Sequence, residues 1–354
     1  NAEMENVSCL ETTATNANFT LANMQRAKFL GSNLSGSNLD SANLRKSIFL
    51  EANLSKCNLN EADLSNSDFS RTDMSHATIV ESNLSRGRFN GANLESVDFT
   101  DSRLSMAVFF EANFKNANLN RAQVKGAKLA GGTFENTSLP RADITGADLT
   151  DAKFLNSNLS RAKLNGAILR RTDLKRSDLS EADLSIADLT GASLIEVKLI
   201  GANMERIKLN QAKLPGAQLC GAKINKAKLV QVDLSKADLS GANLTGADLT
   251  ESNLQDCDLS RANLTEAILQ KANMKSTFLI GANLQKADLT EVNLEEANIA
   301  GTKLSKANCQ KANMKKVDLQ RSDLEHADFS QADLTDANLT GSKLGDADFK
   351  NANL

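Results

Sequence analysis

The chain has 354 residues, a formal net charge of −3, two histidines and neither Trp nor Tyr. A nearly neutral chain has no strong global field to favour nucleic acid or a charged membrane, and no run of about 18 apolar residues predicts a membrane-spanning helix. Five isolated cysteines and the lack of an apolar leader-like segment near Asn1 predict a reducing, cytoplasmic location.

Apolar residues recur at every fifth position from Met4 to Leu354 without insertion or deletion. Only Cys9, Ala14 and Cys309 depart from Leu, Phe, Met, Ile or Val there, and a small residue stands two places before most of these positions. A helix repeats its apolar residues about every three or four positions and a half-buried strand about every two, so neither fits. A small and a large inward residue on one short extended side, followed by a turn, predict a solenoid.

The first repeats are degenerate, because Cys9 and Ala14 weaken the apolar column. We therefore predict that residues 1–16 form an N-terminal cap or a junction. Residues 17–354 are predicted to form one continuous series of repeats. A solenoid needs protected ends because an open coil offers unpaired backbone groups, so we expect a partner or a further segment to cover an end.

The phenylalanines indicate how many repeats complete one coil. Most of those at core positions have another Phe 20 residues away, as in Phe29, Phe49, Phe69, Phe89 and Phe109. Aromatic rings stack when they meet in adjacent layers, so each coil is predicted to contain four five-residue sides. About 18 such coils, at about 4.8 Å per layer, would form a rod about 85 Å long.

These repeats resemble those of the pentapeptide-repeat proteins, whose consensus is Ala-(Asp/Asn)-Leu-x-x. Clear matches are Ala62-Asp63-Leu64, Ala147-Asp148-Leu149, Ala242-Asn243-Leu244 and Ala337-Asn338-Leu339, and the resemblance covers the whole chain. It implies an all-β fold, the right-handed quadrilateral parallel β-helix. The family shares no enzymatic activity and no catalytic residues, so the resemblance transfers no cofactor or active site.

The residues themselves indicate no catalytic site. His76 and His326 lie on different sides of distant coils, and no Cys-x-x-Cys, Gly-rich phosphate loop or His-Glu-x-x-His occurs. Asp and Asn recur before the central apolar residue, which would suit calcium binding or acid–base chemistry. We favour a solvated outer face instead, and we predict no catalytic, metal or cofactor site.

Unusual outward residues are the best candidates for a functional site. Six apolar ones share the side that carries the long Phe series: Leu10, Leu30, Ile48, Leu50, Val108 and Phe110. An aligned apolar stripe of this kind marks a partner site, although single exposed apolar residues are common. The stripe would hold a flanking domain, a second copy or another protein. A sparser group lies on another side: Ile200, Cys220, Phe278 and Ile280.

Charged residues are also arranged in columns. Arg121, Arg141 and Arg161 continue a column begun by Glu61, Glu81 and Asp101, a basic belt lies between Lys198 and Lys228, and the last coils are acidic. Like charges one layer apart repel each other unless they are neutralised. These columns would steer a protein partner, or they simply form a mixed, soluble surface.

We therefore expect a non-enzymatic rigid scaffold or adaptor for protein–protein interaction, forming one region of a larger bacterial protein. The alternative is a DNA mimic that regulates or protects DNA gyrase, as some members of the family do, but this chain is longer and nearly neutral. Nucleic-acid binding through the Lys198–Lys228 belt is the weaker expectation, because no aromatic stacking platform accompanies it. Self-association through coil ends or the apolar stripe is a further option.

Overall fold

The computed structural model describes residues 2–354, which contain neither a helix nor an extended strand. Instead, every fifth residue from Glu3 to Asn353 is a single-residue β-bridge, and the bridges are parallel and join residues 20 positions apart. Four bridges occur in each 20 residues, which confirms the predicted four-sided coil.

The chain comprises two compact units, Asn1–Asp178 and Leu179–Leu354. Each unit is a right-handed quadrilateral parallel β-helix, as predicted. We number the four sides of each unit in chain order by the first bridging residue that each side contains. These residues are Glu3, Ser8, Thr13 and Asn18 in unit 1, and Asp183, Asp188, Ser193 and Lys198 in unit 2.

A tight turn separates consecutive sides. The backbone N–H of each small inward residue donates to the carbonyl of the preceding large core residue, as Ala22 N does to Phe19 O at 3.0 Å. The second turn residue has a φ near +60° at every fifth position from Asn6 to Asn351. Asn and Gly enter this left-handed region at the lowest cost, which explains their frequency there.

Successive layers are joined by backbone hydrogen bonds in both directions. Met24 N donates to Asn43 O at 2.8 Å, and Asn43 N donates back to Ala22 O at 2.9 Å. The turns are paired as well, since Arg26 N donates to Arg45 O at 2.9 Å. Each inner layer therefore satisfies its backbone groups through its two neighbours.

The core is a narrow column of large apolar side chains with small residues beside them. The predicted stacking of Phe residues is confirmed: the rings of Phe29 and Phe49 lie 4.9 Å apart, and those of Phe134 and Phe154 lie 4.4 Å apart. A tilted contact of 5.2 Å between Phe109 and Phe114 joins the two series of unit 1. These side chains are almost fully buried.

Hydroxyl and thiol groups are tolerated at the small inward positions because each finds a carbonyl acceptor. Ser67 Oγ donates to Leu44 O at 2.6 Å, in the preceding layer. Cys57 Sγ makes the corresponding bond to Leu34 O at 3.1 Å. A buried polar group that is hydrogen-bonded in this way adds little cost to the core.

Residues 2–16 adopt the same turns and bridges as the repeats that follow. Glu3, Ser8 and Thr13 bridge to Asn23, Lys28 and Asn33. The core residues of this first layer are only half-buried, whereas those of the next layer are buried. The role of residues 1–16 as a cap or junction stays a prediction.

Candidate protein-binding surfaces

The recurrent Asp and Asn side chains cap turns. Ser65 N donates to Asp63 Oδ1 at 2.9 Å and Ser35 N donates to Asn33 Oδ1 at 3.1 Å, the Asx-turn arrangement. Thr290 donates through both its N–H and its hydroxyl to Asp288 Oδ1, at 3.1 and 2.6 Å. The solvated outer face that we favoured is thus also a structural element of the coil.

Asn side chains also link layers. Asn93 Nδ2 donates to Asp73 Oδ1 at 3.0 Å, and Asn113 Nδ2 donates to Asn93 Oδ1 at 3.0 Å. Such ladders occupy the oxygens that a cation would require. In residues 2–354, no group of three or more His, Cys, Asp or Glu side chains is arranged to hold a metal ion.

All five cysteines are free thiols. Burial raises the pKa of the Cys57 thiol to about 11 and that of Cys257 to about 12, and burial also raises the pKa of Cys309. The thiolate is the reactive form, so these three side chains are inert packing groups. Cys220 is exposed on unit 2.

The apolar stripe lies on the second side of unit 1, but its six residues do not form one continuous patch. Leu10 is 60% exposed and Phe110 is 41% exposed, whereas Leu30, Ile48, Leu50 and Val108 are half-buried. Two intervening layers present polar residues, because the bridges run from Ile48 through Asp68 and Arg88 to Val108. The stripe therefore consists of an N-terminal cluster (Leu10, Leu30, Ile48, Leu50) and a second cluster (Val108, Phe110).

A shallow concavity of about 400 Å³ lies between these clusters, beside Ile48. Three of its side chains are cationic, namely Lys46, Arg86 and Arg88, and Asp68 is the one acid among its lining residues. Asp68 is already occupied as a turn cap, since it accepts the Ser70 N–H at 3.0 Å. We call this feature the basic recess. The cations were visible in the sequence, but their place between the two clusters was not predicted.

The charged column of Arg121, Arg141 and Arg161 is on an exposed corner of unit 1. Arg121 donates through Nε to Asp101 at 2.7 Å, in the preceding layer. This hydrogen bond lowers the pKa of Asp101 and raises that of Arg121. An opposite charge 20 residues away thus neutralises one end of the column. Arg141 forms no ion pair among residues 2–354.

The basic belt of unit 2 is spread around the coil. Lys198 lies on the fourth side and Lys213 on the third, while Lys208 and Lys228 bridge each other on the second. A flat partner would meet only part of the belt, because its cations face different directions. This arrangement does not favour a long nucleic acid.

The smaller apolar group lies on the fourth side of unit 2 and the turn that follows it. Phe278, Ile280 and Ile200 are 50%, 47% and 43% exposed. Two shallow concavities flank Ile280, one of about 450 Å³ towards Cys220 and one of about 370 Å³ towards Arg321. Sequence analysis missed the glycines and arginines that border this group, although their 20-residue spacing was visible.

Comparison with known protein families identifies the repeats. A model described as "Pentapeptide repeats (8 copies)" matches residues 2–40, 17–49, 117–154, 157–194, 187–225, 221–256, 257–295, 293–331 and 332–354. A second model, "Pentapeptide repeat region", matches residues 52–129. The chain belongs to the pentapeptide-repeat family.

Solved pentapeptide-repeat structures resemble parts of this member of the family. HetL of the cyanobacterium Nostoc, involved in heterocyst differentiation regulation, is 30% identical, with 64% of this chain and 89% of HetL covered and a TM-score of 0.37. QnrB1, a plasmid-mediated fluoroquinolone resistance protein, is 19% identical, with 53% and 93% covered and a TM-score of 0.30. Rfr23 of the cyanobacterium Cyanothece is 27% identical, with 30% and 82% covered and a TM-score of 0.15.

A search of curated proteins found no significant match to this pentapeptide-repeat chain. The part of the chain that the structure describes contains no helix long and apolar enough to cross a membrane.

Proposed function

We propose that this pentapeptide-repeat protein is a non-enzymatic scaffold that binds another protein through the second side of unit 1. The observation that carries the proposal is the pairing of two outward apolar clusters with the basic recess between them. Exposed apolar groups next to unpaired charges are typical of protein-binding surfaces.

The geometry defines the chemistry of the partner. Leu50 and Phe110 lie three layers apart, about 14 Å at about 4.8 Å per layer. Lys46, Arg86 and Arg88 form no ion pair within residues 2–354, so they are available to a carboxylate. The expected partner therefore presents two apolar anchors with an acidic side chain between them.

The test uses the most exposed member of each cluster. The double variant Leu10→Asp/Phe110→Asp is expected to lose partners that the immobilised wild-type protein captures from a lysate of the source organism. Leu21→Asp is the matched control, because Leu21 is exposed on another face of unit 1. Each captured protein is identified by mass spectrometry, and its affinity is then measured with purified components.

The recess provides a second arm of the experiment. Arg88→Glu places a negative charge in the recess without altering either apolar cluster. We expect it to weaken binding of the purified partner by about tenfold or more, since like charges across an interface repel. A partner that binds the double variant, Arg88→Glu and Leu21→Asp as tightly as wild type would refute the assignment.

A further inference from the structure

The fourth side of unit 2 has an exposed apolar ridge. Phe278 occupies an outward bridge position, between Asp258 in the preceding layer and Asn298 in the next. Ile280 follows it at the turn, and the two side chains are about half exposed. Phe278 therefore presents an aromatic ring to solvent at a column that elsewhere holds polar residues, as in Gln218 and Asp318.

The corner after this side is almost free of side chains. Its residues, 20 apart, are mostly glycine: Gly201, Gly221, Gly241, Gly281, Gly301 and Gly341. The backbone does not require glycine here, because Lys226 and Glu251 adopt the same positive φ at other corners of unit 2. A Cβ added at Gly241 or Gly281 would meet no atom within 4 Å. The corner is therefore an open trough beside the ridge.

Two arginines interrupt this trough, and each stands in a layer that has an aspartate on the fourth side. Arg261 follows Asp258 by three residues, and Arg321 follows Asp318 by three residues. Neither arginine forms an ion pair among residues 2–354. Both are exposed, and the aspartates are half-buried and cap the turns that precede the arginines.

Charge and shape thus alternate in register along one strip. Where the fourth side has Phe278, the corner has Gly281, and where it has Asp258 or Asp318, the corner has Arg261 or Arg321. Such a surface is complementary to itself when it is rotated by half a turn about an axis parallel to the coil axis of unit 2. A twofold contact of this kind closes on itself and does not continue into a fibre.

We propose that the fourth side of unit 2 binds the same side of a second copy, with the two units parallel. The ring of Phe278 lies over Gly281 of the second copy, and Asp258 and Asp318 pair with Arg261 and Arg321 of that copy. The strip from Ile200 to Arg321 covers six layer spacings, about 29 Å at about 4.8 Å each. A strip one side wide is small for an interface, so the dimer is weak and reversible.

The decisive experiment exchanges charges between copies. Asp258→Arg places two arginines in one layer, and Arg261→Asp places two aspartates there. Each variant alone is expected to show a dimer dissociation constant raised about tenfold or more in sedimentation equilibrium, because like charges would face each other. An equimolar mixture of the two is expected to form a heterodimer with near wild-type affinity, since both contacts are then opposite in charge.

Two further variants separate this contact from general apolar adhesion. Phe278→Asp is expected to abolish the dimer, whereas Ile268→Asp, on the second side of unit 2, is expected to leave it unchanged. Circular dichroism of each variant establishes that the coil is intact. Because Asp258→Arg removes the cap that accepts Ser260 N at 2.8 Å, the Arg321→Asp and Asp318→Arg pair is tested in parallel.

A monomeric wild-type protein at the highest soluble concentration would overturn the proposal. So would a dimer that all folded variants form equally, or one that the mixed charge variants fail to restore. The outcome is independent of partner binding by unit 1, because none of the substituted residues lies on the apolar stripe.

Discussion

At the scale of single residues, the turn corners show where side chains and backbone conflict. Ile186 has a φ of +54° and is the only β-branched non-glycine residue with a positive φ in residues 2–354. A branched side chain in the left-handed region crowds its own backbone, which costs about 1–2 kcal/mol. Ile186 is also 55% exposed, so packing recovers little of that cost.

Replacing Ile186 with asparagine should therefore stabilise the protein. Asn tolerates the left-handed region, as Asn66 and Asn136 do in this chain. We expect Ile186→Asn to raise the free energy of unfolding by about 1 kcal/mol. Chemical denaturation followed by far-ultraviolet circular dichroism measures the change.

Val230→Asn is the matched control. Val230 is also a β-branched turn residue of unit 2, but its φ is not positive and its side chain is half-buried. No left-handed strain exists there to be relieved, so this variant should not gain stability. Equal stabilisation by both substitutions would show that backbone conformation is not the cause.

At the scale of structural elements, the Phe stacks constrain the small residues beside them. Phe134 lies between Phe114 and Phe154, with ring centroids 4.6 and 4.4 Å away. A Cβ added to Gly132 would lie 2.8 Å from Phe134 Cε2 and 3.0 Å from Leu129 O. The ring is held by the stack, so the added methyl group cannot be accommodated by a free side-chain rotation.

Gly132→Ala is accordingly expected to destabilise the protein by about 1–3 kcal/mol, in the range of overpacked cores. The same measurement on Gly345→Ala provides the control, because a Cβ there meets only Glu325 Cγ at 3.7 Å. Adding Phe134→Leu to Gly132→Ala should relieve the clash. The prediction fails if the two single alanine variants have the same stability.

The stacking elements were predictable from sequence, whereas the turn caps were not. The 20-residue spacing of Phe29 and Phe49 is itself the distance between layers along the chain, so the coil follows from counting. Asp63 and Asn33, by contrast, look like ordinary surface residues. Their role depends on an oxygen lying about 3 Å from a backbone N–H two residues on, which periodicity does not reveal.

The candidate stripe illustrates the same limit at the surface. Its six residues could be assigned to one side by counting, but Leu30 and Leu50 are half-buried while Leu10 is largely exposed. Exposure depends on how far the side chains of adjacent layers extend over each residue. For the same reason, the sequence did not reveal that the side chains of Lys46, Arg86 and Arg88 surround one recess.

At the scale of the whole molecule, the capping carboxylates link stability to pH. Burial raises the pKa of Asp288, but hydrogen bonds from Thr290 and Gln270 lower it more, so the pKa lies below its usual range. The pKa of Asp328 is lowered in the same way, against burial, by hydrogen bonds from Gln310 and Ser330. Capping aspartates occur in both units, so their effects accumulate along the chain.

Acid should therefore destabilise the folded protein. The unfolded state, in which Asp has a pKa of about 3.9, takes up protons before the folded state does. The free energy of unfolding is thus expected to be level above about pH 5 and to fall as pH drops through the unfolded pKa towards the lower folded values. Denaturation midpoints measured between neutral pH and strong acid test this dependence.

A triple variant, Asp288→Asn/Asp328→Asn/Asp333→Asn, separates the caps from the ion pairs. Asn keeps the turn bond, as Asn243 does with Thr245 N at 3.1 Å, but it does not titrate. The variant should match the wild type near neutral pH only to the extent that Asn caps as well as Asp, and its decline in acid should be shallower. High salt screens exposed pairs such as Arg171–Asp151 and leaves short capping bonds largely unaffected. An acid decline that salt abolishes, or that the triple variant retains in full, would assign the pH dependence to surface ion pairs instead.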